Sequence, residues 1–206
     1  MSSPSAMLPR MTTTLAPRRT RLAYDLLPSP LGPLLAARSD SGLCALTFDV
    51  DVHRVSAASR LGNEPEVRRY PEALLEVRYQ LAEYFDGARR SFDLAVDLRG
   101  VTPFQRSVLD ATVRIPAGAT VTYGELAKRV GRPRAARAVG GALQRNPVWI
   151  VIPCHRVTAS DGSLTGYGGG LDRKASLLRL EATGWDGTTW DRKTSAAPST
   201  PSASPT

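Results

Sequence analysis

At about Val101 the spacing of apolar residues changes, and this change constrains the fold more than any other feature of the chain. Upstream, from Leu22 to Asp49, short apolar runs are separated by the turn clusters Ser29-Pro30-Leu31-Gly32-Pro33 and Ser39-Asp40-Ser41-Gly42, the pattern of a small antiparallel meander. Pro71 to Phe85 then sets Leu74, Leu75, Arg78, Leu81, Tyr84 and Phe85 at helical spacing, and Ser91 to Leu98 alternates like a further strand. Downstream the pattern is helical. Thr102-Pro103 reads as a cap followed by a first turn, with Phe104, Val108 and Ala111 continuing one face to Ile115 before Pro116 and Gly118 close it. Thr122 caps a second helix through Val130, Gly131-Arg132 turns the chain, and Pro133 opens a third helix through Leu143. Two short helices joined by a Gly-containing turn form a helix-turn-helix candidate. The expected fold class is α+β: a small antiparallel-sheet amino-terminal domain over residues 22–100, then a mainly helical domain over 101–185. Residues 1–21 and 186–206, rich in Ser, Thr and Pro, are expected to be a disordered basic arm and a disordered tail.

Length and composition narrow the class further. A chain of 206 residues with 42% hydrophobic and 22% charged residues can bury a core. No apolar run approaches the roughly 18 residues that a spanning helix needs, so no membrane association is expected. Two cysteines, Cys44 and Cys154, are too few for a disulfide framework and point to a reducing, cytoplasmic setting. The net charge of +8 is unevenly placed: residues 101–156 hold nine basic groups against Asp110 and Glu125 alone. Such a stretch fits a polyanion, although Arg-rich surfaces also occur in basic proteomes without that purpose.

The third helix sharpens the first of these readings. Apart from Arg134 and Arg137 it offers Ala135, Ala136, Ala138, Val139, Gly140 and Gly141, none of which reaches a base edge. Small residues suit close approach to a sugar-phosphate backbone or a narrow groove, and they equally suit tight helix packing. The flanking Arg129, Arg132, Arg134 and Arg145 favour nucleic acid.

Chemistry concentrates in Asn146-Pro147-Val148-Trp149-Ile150-Val151-Ile152-Pro153-Cys154-His155-Arg156-Val157. A β-like apolar run ends in Pro and is followed by a thiol, an imidazole and a guanidinium. A lone cysteine usually packs as a small hydrophobe. Here His155 and Arg156 bring positive potential of the kind that lowers a thiol pKa, which makes Cys154 a candidate nucleophile.

Ile152-Pro153-Cys154-His155-Arg156-Val157 resembles the active-site motif of the O6-alkylguanine-DNA alkyltransferases, the methylated-DNA–protein-cysteine methyltransferase family. The likeness extends upstream to Tyr123 and Ala135-Ala136-Arg137-Ala138-Val139-Gly140, which resemble the family's helix-turn-helix with its base-flipping tyrosine and arginine finger. Downstream, Gly166-Tyr167-Gly168-Gly169-Gly170 resembles its binding loop, Lys174 matches a lysine that follows, and Glu181 falls at its triad glutamate. Ser29-Pro30-Leu31-Gly32-Pro33-Leu34 is a weaker likeness to the family's amino-terminal domain.

The resemblance implies irreversible, stoichiometric transfer of an alkyl group from O6-alkylguanine in double-stranded DNA to Cys154. His155 is then the base acting through a water, Glu181 its orienting carboxylate and Asn146 the residue shaping the turn. Tyr123, Arg134, Ala135, Ala136, Arg137, Ala138 and Gly140 meet DNA, and Trp149, Val157, Tyr167, Gly168 and Gly169 surround the guanine. No cofactor and no obligate protein partner are implied, and a monomer is expected. Read without the resemblance, Tyr123 is a helix-packing aromatic, Tyr167 a loop anchor, and Glu181 and Lys174 solvated charges.

Departures from the pattern matter as well. Trp149 stands where the family often carries Pro or Ala, and either anchors the apolar strand or narrows the pocket. Some relatives bind zinc in the amino-terminal domain. Here only Cys44 and His53 are available, Cys44 reading as core and His53 as surface, so no metal site is expected. A Cys-His-Glu hydrolase would use the same three residues but leaves the helix-turn-helix unexplained. A non-enzymatic lesion sensor would explain the helix-turn-helix but has no need of Cys154.

Overall fold

A computed structural model of the chain describes residues 20–51 and 65–183. Most of the expected arm, the expected tail and His53 lie outside these residues. Three strands, β1 (Arg21–Leu27), β2 (Leu34–Ser39) and β3 (Gly42–Thr47), form the expected antiparallel meander, with Leu27 opposite Leu34 and Ser39 opposite Gly42. A fourth strand, β4 (Glu66–Arg69), adds parallel to β1, giving the sheet order β3-β2-β1-β4.

On β1 and β2 the period of two sorts residues onto two faces, and on β3 a bulge at Cys44 sets Cys44 and Ala45 on the same side. Leu27, Leu34, Ala36, Leu43 and Leu46 enter the main core, while Leu22, Leu35, Ala37, Cys44 and Ala45 form a smaller cluster on the other side. Against the first face lies α1 (Leu75–Phe85), entered through a 3-10 turn at Pro71–Leu74 and contributing Val77, Leu81, Tyr84 and Phe85. The buried Asp25 of β1 accepts from Arg69 of β4 and Arg78 of α1, at 3.0 and 2.6 Å, and so fastens sheet edge and helix together.

The expected strand at Ser91–Leu98 does not form. That segment touches β3 through a single bridge, Leu43 with Val96, flanked by Leu43 N–H donating to Ala95 O and Asp97 N–H donating to Leu43 O. The backbones come so close that a Cβ at Gly42, with φ at +141°, would lie 2.4 Å from Ala95 O. A glycine is required there for conformation and for space.

The helical half comprises α2 (Pro103–Val113), α3 (Tyr123–Arg129), α4 (Ala136–Gln144) and α5 (Leu171–Thr183). Both expected caps are present. Thr102 accepts from Gln105 N–H at 3.3 Å, and Thr122 and Glu125 form a reciprocal capping box. The third helix starts at Ala136 rather than Pro133. Pro133 and Arg134 belong to the turn before it, which Ala135 N–H closes by donating to Arg132 O at 2.8 Å. Two short strands, β5 (Val121–Thr122) and β6 (Val157–Thr158), pair in parallel and join the helix-turn-helix to the segment that follows the cysteine. One core runs through both halves, from Leu27 and Leu81 to Val139, Ile152 and Leu177.

Candidate active site

Cys154 sits at the end of a compact turn organised by Asn146. The Asn146 Oδ1 accepts from Val148 N–H at 3.0 Å, and its Nδ2 donates to Ile152 O at 2.9 Å and to the Cys154 Sγ at 3.2 Å. Between these anchors the backbone makes two three-residue turns. Val151 N–H donates to Trp149 O around Ile150, whose φ is +70°, and Cys154 N–H donates to Ile152 O around Pro153, at φ −82° and ψ 63°. The run 148–152 is therefore not a strand. It touches β3 through the Leu46–Val148 bridge and then folds back on itself. A β-branched residue at positive φ costs about 1–3 kcal/mol, which the bonds from Asn146 and the core burial of Ile150 and Ile152 offset.

His155 is fully buried and its Nε2 lies 2.8 Å from Glu181 Oε1. Arg156 does not face the thiol. Its Nε and Nη2 bind Glu181 at 2.9 and 2.8 Å, and its Nη1 donates to Ile115 O at 2.5 Å. Tyr84 Oη–H donates to Glu181 Oε1 at 2.7 Å, and Gly118 N–H donates to Oε2 at 3.3 Å. Burial pushes the Glu181 carboxyl up, but the donors from His155 and Arg156 outweigh it and hold the group well below the usual carboxylate range. A carboxylate that stays ionised can only accept, so the proton between the pair resides on His155 Nε2 and leaves Nδ1 with a lone pair. Burial keeps the imidazole neutral by lowering its pKa, against the attraction of Glu181. Among the described residues, His155 Nδ1 and the Tyr167 hydroxyl are buried without a hydrogen-bond partner.

The expectation of a thiol pKa lowered by its neighbours is not met. Cys154 is 7% exposed, and burial pushes the thiol up. Asn146 and then Lys174 oppose that rise. Lys174 is likewise not the solvated side chain expected. It is 0% exposed, and its Nζ donates to Val157 O at 2.6 Å and to Thr165 O at 2.7 Å. Burial lowers its pKa, and the nearby thiol opposes the shift. Glu181, at the far end of the same helix, is also buried rather than solvated.

The loop after β6 closes over this arrangement. The Tyr167 ring meets Trp149 at 5.6 Å and His155 edge-on at 6.5 Å between centroids. Trp149 anchors no strand. It lies against Phe48 of the sheet half, donates from Nε1 to Asn146 O, and packs so tightly on Gly168 that a Cβ there would fall 2.7 Å from the indole. A Cβ at Gly169 would meet Tyr167 at 2.7 Å and Phe48 at 3.0 Å. Arg173 stacks over Phe48 and donates to Leu31 O and Gly169 O, tying the loop to the sheet half. Val157 is buried in β6 and contributes its carbonyl to Lys174.

On the helix-turn-helix, Arg134, Arg137 and Ala138 are exposed, while Ala135 and Ala136 are half-buried. Val139 and Ala142 face the core. Gly140 lies under the Tyr123 ring, where a Cβ would be 3.8 Å away, and Tyr123 Oη–H donates to Thr165 O at 3.2 Å. The small residues thus divide between helix packing at Gly140 and an open face at Arg137 and Ala138. Tyr84 and Phe48 carry no site role in the sequence, and Arg156, expected to act on the thiol, instead binds Glu181. Tyr84 and Phe48 meet the site from 97 and 101 residues away, measured to Glu181 and Trp149, and no local pattern marks either.

Known proteins resemble both halves of the chain. The family model for the 6-O-methylguanine DNA methyltransferase ribonuclease-like domain matches residues 22–98, and that for its DNA binding domain matches residues 103–183. A methylated-DNA–protein-cysteine methyltransferase of Methanosarcina barkeri is 47% identical over 159 residues, covering 77% of this chain and 96% of the relative. One of Mycobacterium leprae is 47% identical over 153 residues, covering 74% and 88%. The crystal structure of the Mycobacterium tuberculosis O6-methylguanine methyltransferase superposes with a TM-score of 0.69 at 40% identity, covering 81% of this chain and 96% of that one. A structure of the M. tuberculosis protein in complex with DNA gives 0.64 at 43% identity, covering 78% and 92%. A cysteine turn built on Asn146, a buried imidazole–carboxylate pair and matches across both halves lead to one assignment: this chain belongs to the methylated-DNA–protein-cysteine methyltransferase family.

Proposed function

We propose that the protein repairs O6-alkylguanine in double-stranded DNA by direct reversal, with Cys154 as the permanent alkyl acceptor. The observation that carries the reading is the buried series Glu181, His155, Cys154, in which a fixed carboxylate leaves the imidazole one free basic nitrogen next to the thiol residue. The Cys154 thiol loses its proton to His155 Nδ1 through a water. The thiolate attacks the alkyl carbon, the S–C bond forms as the O6–C bond breaks, and the bonding pair leaves on the purine, which takes up a proton as guanine. A thiolate suits this displacement because it is far more nucleophilic than a hydroxyl near neutral pH. The product thioether has no good leaving group, so each molecule acts once. Burial of the thiol favours storage in the neutral form, and the thiolate forms as His155 takes up the proton.

Reaching a sulfur this deep requires the base to leave the helix, which costs a few kcal/mol of stacking and pairing. Exposed Arg137 enters the vacated stack. Tyr123 turns the flanking phosphate, and Arg134 with exposed Ala138 and half-buried Ala135 and Ala136 contacts the backbone. Tyr167, with its unpaired hydroxyl, and Gly168, Gly169, Val157 and Trp149 surround the guanine. The sheet half and the helical half act as two domains, about 22–100 and 101–185, and the protein works as a monomer without a cofactor in the cytoplasm.

The test is a turnover count. A duplex with one O6-methylguanine, supplied in excess, should have one guanine restored per protein molecule and no more. Continuing release of product would establish a hydrolase, and tight binding without restoration would establish a lesion sensor.

A further inference from the structure

Glu181 is bound from both halves of the molecule. His155 and Arg156 donate from the cysteine turn and Gly118 from the turn after α2, whereas Tyr84 donates from α1 of the sheet half. Among the described residues Tyr84 is the single donor from the sheet half to this carboxylate. Its hydroxyl shares Oε1 with His155 Nε2, the pair on which the base form of the imidazole depends. The ring is 2% exposed and is fixed by Phe85 and Phe92, each 5.3 Å away between centroids, so the hydroxyl has no freedom to leave. Burial and then Glu181 push its pKa far up, so it remains a donor at every pH the protein tolerates. A second strut, Arg90 Nη1 to Glu181 O at 3.0 Å, fixes the backbone of the same residue but does not touch the carboxylate.

We infer that Tyr84 is a positioning residue for alkyl transfer, through which the sheet half sets the protonation of His155 by holding Oε1 of Glu181. The inference rests on the reading of Cys154 as acceptor and His155 as base. A hydroxyl that donates to Oε1 draws off part of the charge His155 would otherwise feel. It also stops the carboxylate from rotating towards Arg156 alone. The charged groups acting on His155 are Glu181, which favours the imidazolium, and Arg156 and Lys174, which oppose it. Removing the Tyr84 hydroxyl changes the first and leaves the other two in place.

The experiment compares wild type, Tyr84→Phe and Arg90→Ala, all as full chains. Single-turnover transfer is measured with a duplex containing O6-methylguanine over a range of about pH 5 to 9, together with DNA affinity. In Tyr84→Phe the acid limb should move up by roughly half to one pH unit and the plateau rate should fall roughly three- to tenfold, with DNA affinity unchanged. Arg90→Ala should leave the acid limb in place. The chain has only two histidines, so the ring signals of His155 can be followed by NMR without DNA, and its titration in Tyr84→Phe should move in the same direction. That signal separates the two ideas: a wild type that transfers nothing refutes the functional reading, while a moved His155 titration still upholds the coupling. An unmoved titration, an equal shift in Arg90→Ala, or a Tyr84→Phe protein that does not fold would each overturn it.

Discussion

Replacing Lys174 by Met tests whether a buried cation holds the cysteine turn and the binding loop together. The substitution keeps an unbranched chain of similar length and removes the ammonium. Two carbonyls, Val157 O and Thr165 O, then lose donors at 2.6 and 2.7 Å in a region with no exposure at the lysine itself. Thr165 O keeps the Tyr123 hydroxyl as a donor, whereas the buried Val157 O loses the lysine, and a buried acceptor deprived of its donor costs about 1–3 kcal/mol. For a chain of this size that lowers Tm by at least about 2 °C. The same cation, after Asn146, opposes the rise that burial imposes on the Cys154 thiol, so its removal should carry the alkaline rise of the transfer rate to higher pH. Differential scanning fluorimetry and single-turnover rates across pH check both halves. A Lys174→Met protein with unchanged Tm and an unchanged rate profile would refute the view that this lysine is structural and coupled to the thiol.

Other expectations follow from single contacts. Gly168→Ala should slow transfer because its methyl would meet the indole of Trp149, and Trp149→Ala in the same chain should restore much of the rate, a coupling measurable by a double-mutant cycle. Trp149→Ala alone should accept benzylated guanine better relative to methylated guanine, and equal ratios in both proteins would remove Trp149 from the pocket. Affinity for undamaged duplex should fall steeply with salt, and Arg134→Ala should reduce the log–log slope by about 0.9, the share of one phosphate contact. Stability should fall on both sides of neutrality. His155 is held below its ordinary 6.5 and Glu181 below 4.5, so the unfolded chain takes up protons first and stability present above those values is lost as pH falls through the depressed ones. Cys154 is raised and Cys44 is pushed up to about 12, so the unfolded chain releases protons first and stability is lost as pH rises above 9.0. Thermal melts in buffers across that range read both limbs, and Cys154→Ser should soften the alkaline one.

What could be read before the structure was local. The caps at Thr102 and Thr122 need only residues within one turn, and both are present. The meander was legible because Leu34 to Ala37 alternates between two buried faces before a short turn, whereas the bulge that sets Cys44 and Ala45 on one side leaves no local mark. β4 was not, because Glu66, Arg68 and Arg69 leave an edge strand with Val67 as its one apolar side chain. Ser91–Leu98 alternates correctly yet pairs only at Val96, since alternation records burial and not hydrogen bonding. At the site, the order of Asn146, Cys154, His155 and Glu181 carried the resemblance, but the environment of each did not show. Two cations sit differently from what the sequence implies: Arg156, next but one to the thiol, neutralises Glu181, and Lys174, which in sequence looks like a solvent-facing cation, caps two carbonyls. The same long-range closure hides Tyr84 and Phe48, whose partners come from the other half of the chain.

Intact mass spectrometry with peptide mapping, after mixing the protein with an equimolar duplex carrying one O6-methylguanine, tests the central claim most directly. The protein should gain one methylene equivalent, carried entirely by the peptide holding Cys154, and Cys154→Ser should bind the same duplex and gain nothing. A wild-type protein of unaltered mass in a stable complex with that duplex, or a methyl group found on Cys44, would contradict the account.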